Sequence, residues 1–181
     1  MREGNAVIIE ELDAAAAERE AAALAVLLHA CVRAGASVGF VQPFASSDAE
    51  AWWRGQVIPG LARRERRLLV ARLDGRLAGT AQLVLAAMPN QRHRAEVSKV
   101  LVHPGARRRG LARAMMARLE ALAAGEGRVL LTLDTRQGDV AQPLYASLGY
   151  GLAGVIPHYA RAPDTDRLEA TAYMYKLLAA D

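Results

Sequence analysis

His103–Met116, HPGARRRGLARAMM, decides how this chain folds: a proline-glycine break, three adjacent arginines and a glycine, then an alanine-rich run. Ahead of it Arg92–Val102 (RHRAEVSKVLV) reads as a strand. From Gly110 to Ala124 the apolar positions Leu111, Ala114, Met115, Leu119 and Leu122 recur at helical spacing. The period switches from two to about 3.6 across the arginines, so the segment is a strand, a turn and a helix start. A helix start exposes unpaired N–H groups and carries about half a positive charge, which favours an anion. Gly110 lets that anion reach the backbone, small Ala112 keeps the first turn open, and the arginines add charge-assisted bonds. Three arginines in isolation read as a solvated charge run; their place between strand and helix reads as an anion cradle. The pattern does not say which phosphate; it matches neither GxxxxGK[ST] nor GxGxxG, and a ligand carrying a pyrophosphate is the best remaining candidate. His103–Ala112 holds no aromatic platform, which ranks single-stranded nucleic acid lower.

Outward from this loop, Ala6–Glu10 (AVIIE) reads as a first strand. Asp13 caps a helix from about Ala14 to Ala34, with Gly35 stopping it. GASVGFVQPF is a loop, and Ser47 or Asp48 caps a second helix that carries Trp52 and Trp53 towards Pro59. LLVARLDGRLAGTAQLVL forms a hairpin about Asp74-Gly75, and with the strand at Arg92–Val102 it makes a three-stranded meander. On the other side RVLLTLDT is an all-apolar strand of the kind buried on both faces in a parallel pairing. A helix follows over Asp139–Leu148, then strands at about Tyr150–Ile156 and Ala170–Leu178. The order implies a mixed α/β sheet with helices on both faces.

With 181 residues, 52% apolar and 23% charged, the expectation is one globular domain over 1–181. A net charge of +4 makes no demand for nucleic acid. The apolar run Ala21–Val32 follows Glu10, Glu11, Asp13, Glu18 and Glu20, where a signal peptide wants basic residues, and it is shorter than the roughly 20 residues of a membrane span. With Cys31 as the single cysteine, read as a buried inert thiol, the expected setting is a reducing cytoplasm with no membrane partner.

Arg107-Arg108-Arg109-Gly110-Leu111-Ala112 fits [QR]xxGx[GA], and DVAQPLYASLGY (Asp139–Tyr150) fits NxxAxxLYxxxGF, with asparagine replaced by Asp139 and Pro143 inside the helix. On these two motifs the chain resembles the GCN5-related N-acetyltransferase superfamily. HRAEVSKVLVHPGARRRGL, LLTLDT, YASLGY and PHYARAPDTDRLEATAYMYKLL look most like its tabtoxin-resistance group. The resemblance implies a GNAT fold, classed α/β (α+β): a mixed, mostly antiparallel central sheet of about seven strands with helices on both faces. It also implies acetyl-CoA as co-substrate, held by Val100, Leu101 and Val102 through their backbone, by Arg107, Arg108, Arg109, Gly110, Leu111 and Ala112, and by Asp139 and Tyr145. Glu96 and Asp134 would be the acidic pair serving as general base, and Tyr145 the proton donor to the leaving sulfur. Superfamily members often dimerise, so a homodimer is implied as well.

Acetyl transfer needs a neutral amine, a polarised thioester carbonyl and an acid for the thiolate. If the strands of Glu96 and Asp134 are neighbours, both carboxylates face the ligand opening, where two close carboxylates raise one pKa and attract a cationic amine. Read without the resemblance, Glu96 pairs with Lys99 or Arg94, Asp134 caps a turn before Thr135, and Tyr145 is a core tyrosine. Phe40, Trp53, His158 and Tyr159, with Trp52, are candidates for the acceptor pocket; ordinary packing is the favoured alternative for the two tryptophans, and a surface position the alternative for His158. No metal is expected, since His158 has no ligand spacing with His93 or His103. The reading is a small-molecule primary amine as acceptor, by direct attack in a ternary complex, with a toxin or antimetabolite of the tabtoxinine-β-lactam type in view. Peptide or protein acetylation, or a CoA- or nucleic-acid-binding module without catalysis, are the alternatives.

Overall fold

The computed structural model describes residues 7–178. Seven strands form one open sheet in the order β1-β2-β3-β4-β5-β7-β6. They are β1 (Val7–Leu12), β2 (Arg66–Leu73), β3 (Arg76–Leu85), β4 (Arg94–Val102), β5 (Leu130–Arg136), β6 (Gly151–Arg161) and β7 (Leu168–Leu177). Asp74 and Gly75 both take positive φ, 51° and 77°, as a two-residue hairpin turn requires, and they close β2 on β3. Every pairing is antiparallel except β4 with β5, which is parallel over Arg94–Glu96 and Leu130–Thr132 alone. Beyond that the two strands part.

Two apolar layers cover the sheet. On one face α5 (Leu111–Gly125) buries Leu111, Met115, Met116 and Leu119 against Leu69, Ala81, Leu83, Ala95, Val97, Leu131 and Leu133. The short α6 (Ala141–Ser147) adds Tyr145 to the same layer. On the other face α2 (Ala21–Arg33) packs Leu24, Leu27, Leu28, Cys31 and Val32 over Leu68, Val70 and Leu101. The alternation along β2, with Leu68 and Val70 to one side and Leu69 and Ala71 to the other, is the period of two that feeds both layers.

Several elements differ from the sequence reading. Ala6, the first residue of the expected opening strand, lies outside the described residues, and the strand continues to Leu12. The long helix is two: α1 (Ala14–Arg19), capped by Asp13 Oδ1 accepting from Ala16 N at 2.7 Å, and α2, separated at Glu20. The break carries no glycine or proline; Glu20 is drawn to Arg72 on β2, Nη2 to Oε1 2.9 Å. The second helix, α3 (Ser46–Trp52), starts two or three residues earlier than read: Ala45 is the cap position, and Asp48 accepts from its N–H at 3.0 Å. Pro59 does not end it. A proline presses on the carbonyl one turn back and has no N–H to give; the turn Trp53–Val57 widens to i→i+5 bonding and the helix resumes as α4 (Ile58–Ala62). β5 is buried on one face only: Leu131 and Leu133 are covered, whereas Asp134 is exposed.

Candidate active site

The arginine loop lies at the mouth where β4 and β5 part. Arg108 (φ 60°) and Gly110 (φ 80°) adopt left-handed backbone on either side of Arg109, so successive N–H groups turn into one concave surface ahead of α5. A Cβ on Gly110 would meet nothing within 4 Å, so the approach to that surface is open. Arg108, Arg109 and Gly110 are exposed, while the Leu111 side chain is 1% exposed in the core, leaving only its backbone to a ligand. Arg107 differs from its neighbours. Its Nε reaches back to the Val102 carbonyl at 3.4 Å, and the same carbonyl lies 3.5 Å from Cys31 Sγ. The curled backbone, two outward arginines and an open glycine fit the pyrophosphate of a coenzyme A.

The parting strands build a polar floor. Register places Arg66, Val84, Glu96, Thr132 and Tyr175 in one row across β2, β3, β4, β5 and β7; Leu68, Gln82 and Ser98 continue the next row up to the gap, with Asp134 and Tyr173 beyond it. All of these lie on the face away from α5, because their neighbours Ala95, Val97, Leu131 and Leu133 face it. Glu96 and Asp134 are thus brought to one face on either side of the gap, both exposed. Neither enters an ion pair or hydrogen bond among the described side chains; Arg94 is turned to Gln91 at 2.6 Å instead of to Glu96. Tyr173 hydrogen-bonds Tyr159 of β6, oxygen to oxygen 2.6 Å, with rings crossed at 89°. Its hydroxyl is pushed up to about 12, first by that bond, then by burial and the negative charge of Tyr159, Asp134 and Glu96.

A roof covers this floor. The loop after α2 crosses to the far end of the sheet and is tied there twice: Arg136 Nη2 donates to the Gly35 carbonyl at 2.9 Å and Gln42 N to the Pro163 carbonyl at 2.7 Å. It carries Phe40, its ring tilted at 34° against Phe44 at 4.6 Å and edge-on to Trp52 at 5.4 Å. Beneath them stands Lys99, which sequence reading left out of the site. A bulge in β4 sets Ser98 opposite Gln82 but Leu101 opposite Thr80, and Lys99 sits in it with φ 50°. Its carbonyl accepts the Thr80 hydroxyl at 3.2 Å, and its Nζ lies 5.6 Å from the Trp52 ring centre. Burial lowers its pKa, against the pull of Asp134 and Glu96.

Of the other expected residues, Tyr145 is 6% exposed and its hydroxyl is pushed up to about 12, by burial first and then by Asp139 and Asp134. Asp139 precedes α6 in a turn, its N–H donating to the Arg136 carbonyl at 3.2 Å. Trp53 is 0% exposed in the layer under α2, so its ring reaches no ligand; Trp52 beside it is only partly buried and faces Phe40 and Lys99. Tyr159 is brought to the floor by Tyr173. His158 is exposed at a bulge of β6, φ 56°, with no hydrogen-bond or ion-pair partner among the described residues. Among those residues no three His, Cys, Asp or Glu side chains gather as a metal site, and no helix is long and apolar enough to cross a membrane.

Comparison with known proteins places this geometry. The model of the acetyltransferase (GNAT) family matches residues 23–150. An uncharacterized N-acetyltransferase of Azospirillum brasilense, from the hisH-hisA intergenic region, is 42% identical over 115 residues, covering 62% of this chain and 66% of that protein. The fold is that of a ribosomal-protein-alanine N-acetyltransferase from Brucella melitensis (TM-score 0.76, 23% identity, 94% of this chain and 99% of the other). It is equally that of yncA from Salmonella typhimurium, solved with its cofactor acetyl-CoA (TM-score 0.75, 22% identity, 98% and 96%).

Proposed function

The chain belongs to the acetyltransferase (GNAT) family, and from that premise we propose that it transfers the acetyl group of acetyl-CoA to the primary amine of a small molecule, by direct attack while both are bound. The observation that carries this reading is the gap between β4 and β5, with an anion-binding backbone at its mouth and two unpaired carboxylates on its open face. Arg108, Arg109 and the N–H groups around Gly110 hold the pyrophosphate. The free edge of β4 over Val100–Val102 hydrogen-bonds the pantetheine arm as an added strand would, and an N–H of that edge polarises the thioester carbonyl.

Glu96 and Asp134 draw in the ammonium of the acceptor and take its proton, directly or through one water. The amine nitrogen then bonds to the acetyl carbon as the C–S bond breaks; the sulfur takes the Tyr145 proton, and the second proton shed by the new amide nitrogen returns to the Tyr145 oxygen by way of water, so that one proton in all, the one on the carboxylates, is released to solvent. Tyr145 is protonated at neutral pH, as a donor must be, although burial holds its hydroxyl up to about 12 and makes it a weaker acid until the thiolate charge develops beside it. An amino-acid-like antimetabolite of the tabtoxinine-β-lactam type is the acceptor class we favour over a peptide, because the rings of Phe40, Phe44 and Trp52 close the Lys99 end of the floor, where a peptide chain would have to continue past the amine. The buried Cys31 thiol agrees with a reducing, cytoplasmic setting. The exposed apolar edge of the sheet at β6 agrees with a homodimer.

The test is a screen of amino acids, β-lactam dipeptide toxins, polyamines, aminoglycosides and peptide N-termini, with CoA release as readout. Acetyl-CoA should raise the melting temperature. The double variant Glu96→Gln with Asp134→Asn should lose roughly 100-fold or more in turnover while keeping that thermal shift. No shift at saturating acetyl-CoA overturns the cofactor reading, and an undiminished rate in the double variant overturns the base assignment.

A further inference from the structure

Resting on the reading of this site as an amine acceptor pocket, we infer that Lys99 is a specificity-determining residue that takes an anionic group, a carboxylate, standing next to the amine of the acceptor. Two carboxylates suffice to attract an amine, and a cation beside them repels it; an ammonium placed there needs another purpose. Lys99 enters none of the ion pairs among the described residues, although Glu96 and Asp134 share its pocket. Its Nζ is held under the roof by the Trp52 ring at 5.6 Å, and it lies 3.9 Å from where a Cβ on Gly39 would stand. A half-buried ammonium with no carboxylate at contact distance is costly until an anion meets it.

The backbone points the same way. Lys99 occupies left-handed φ, a conformation glycine or asparagine takes more easily. The bulge that demands it also turns the side chain from the α5 face, where the alternation Ala95, Val97 would send it, onto the floor. A second set of unused donors lies along the same face. Gln82 is 1% exposed; its Oε1 accepts from Arg66 Nη1 at 3.0 Å, while its Nε2 and the Arg66 Nε have no partner among the described atoms. The pocket therefore offers negative charge at Glu96 and Asp134 and positive charge at Lys99, backed by Arg66. That pattern complements a zwitterion such as an α-amino acid, ammonium on the carboxylates and carboxylate on Lys99.

The experiment compares α-amino acids with their methyl esters and their decarboxylated amines as acceptors, in the wild type, Lys99→Met and Lys99→Arg. In the wild type the free acids should exceed the esters by roughly tenfold or more in kcat/KM, an increment of about 1.4 kcal/mol. Lys99→Met should bring the acid-to-ester ratio close to one, mainly through KM for the acids, and Lys99→Arg should restore part of it. The ratio is internal to one preparation, so partial unfolding of a variant does not mimic the effect; if Lys99→Met fails to fold, the wild-type ratio and Lys99→Arg carry the test. Esters and acids accepted equally by the wild type, or acid and ester activity reduced in parallel by Lys99→Met, overturn the inference and leave the acetyltransferase reading standing. An enzyme that binds acetyl-CoA but acetylates no member of the set fails both.

Discussion

Cys31 and Tyr145 put the cofactor end of the site on a pH scale. The Cys31 thiol is pushed up from 9.0 to about 11, chiefly by burial, and the Tyr145 hydroxyl from 10.0 to about 12. Both folded values lie above the unfolded ones, so the stability they confer is whole below pH 9 and is lost as pH rises, between 9 and 11 for Cys31 and between 10 and 12 for Tyr145. Each contributes roughly 2–3 kcal/mol over its window. Urea unfolding should therefore give a level free energy from pH 7 to 8.5 and a fall above 9, and Cys31→Ala should remove the earlier part of that fall. A profile that stays level to pH 12 would contradict the burial of both groups. Tyr145 could be singled out because it sits in a motif of fixed spacing, whereas Glu96 and Asp134 came from the resemblance alone; the structure sets those two carboxylates on one face of the sheet, and their roles stay proposals. Lys99 was not legible. In a regular strand it would share a face with Ala95 and Val97, and nothing in AEVSKVLV announces the bulge that turns it over. Trp53 packs in the layer under α2 instead of lining the pocket, and its neighbour Trp52, about 100° round the helix, faces Phe40 and Lys99.

Elements were legible wherever a breaker residue marks them. Asp74-Gly75, Gly110 and Gly149 each end or turn an element where the sequence reading has it. The helix break at Glu20 escaped because no glycine or proline marks it, the residue at the break being ion-paired to Arg72 on a distant strand, and the one-sided burial of β5 escaped because an open polar face beside a splayed neighbour has no periodicity of its own. The splay itself depends on how β3 seats β4. Gly79 lies opposite Val102, and a Cβ there would stand 2.9 Å from the Leu101 carbonyl and 2.9 Å from Met115 Cε. Gly79→Ala should consequently cost about 1–3 kcal/mol in urea unfolding, the range for overpacking a filled interior. It should also weaken the thermal shift from acetyl-CoA, because the displaced end of β4 is the end that faces the gap. A variant within about 0.5 kcal/mol of the wild type would mean that β3 and α5 separate freely at this point.

At the scale of the molecule, β6 is an edge with little to cover it. Leu152, Val155, Ile156 and Tyr159 are exposed along it, and Leu168, Tyr175 and Leu177 on the strand beside it. Long exposed apolar edges invite pairing, and a two-fold contact between two copies closes both edges with the same residues. Sedimentation velocity at micromolar concentration should show a dimer, and Leu152→Lys with Ile156→Lys should convert it to a monomer; a wild type that sediments as a monomer would refute the pairing. The roof over the floor has a different consequence. The two carboxylates proposed to take the acceptor's proton are carried by strands whose register is shared across the sheet, whereas Phe40 and Phe44 ride on a loop fastened by one arginine and one backbone bond at its far side. Inheritance can therefore act on the two separately. A lineage can trade one acceptor for another by redrafting a dozen loop residues, while the apparatus that moves the acetyl group passes down unaltered.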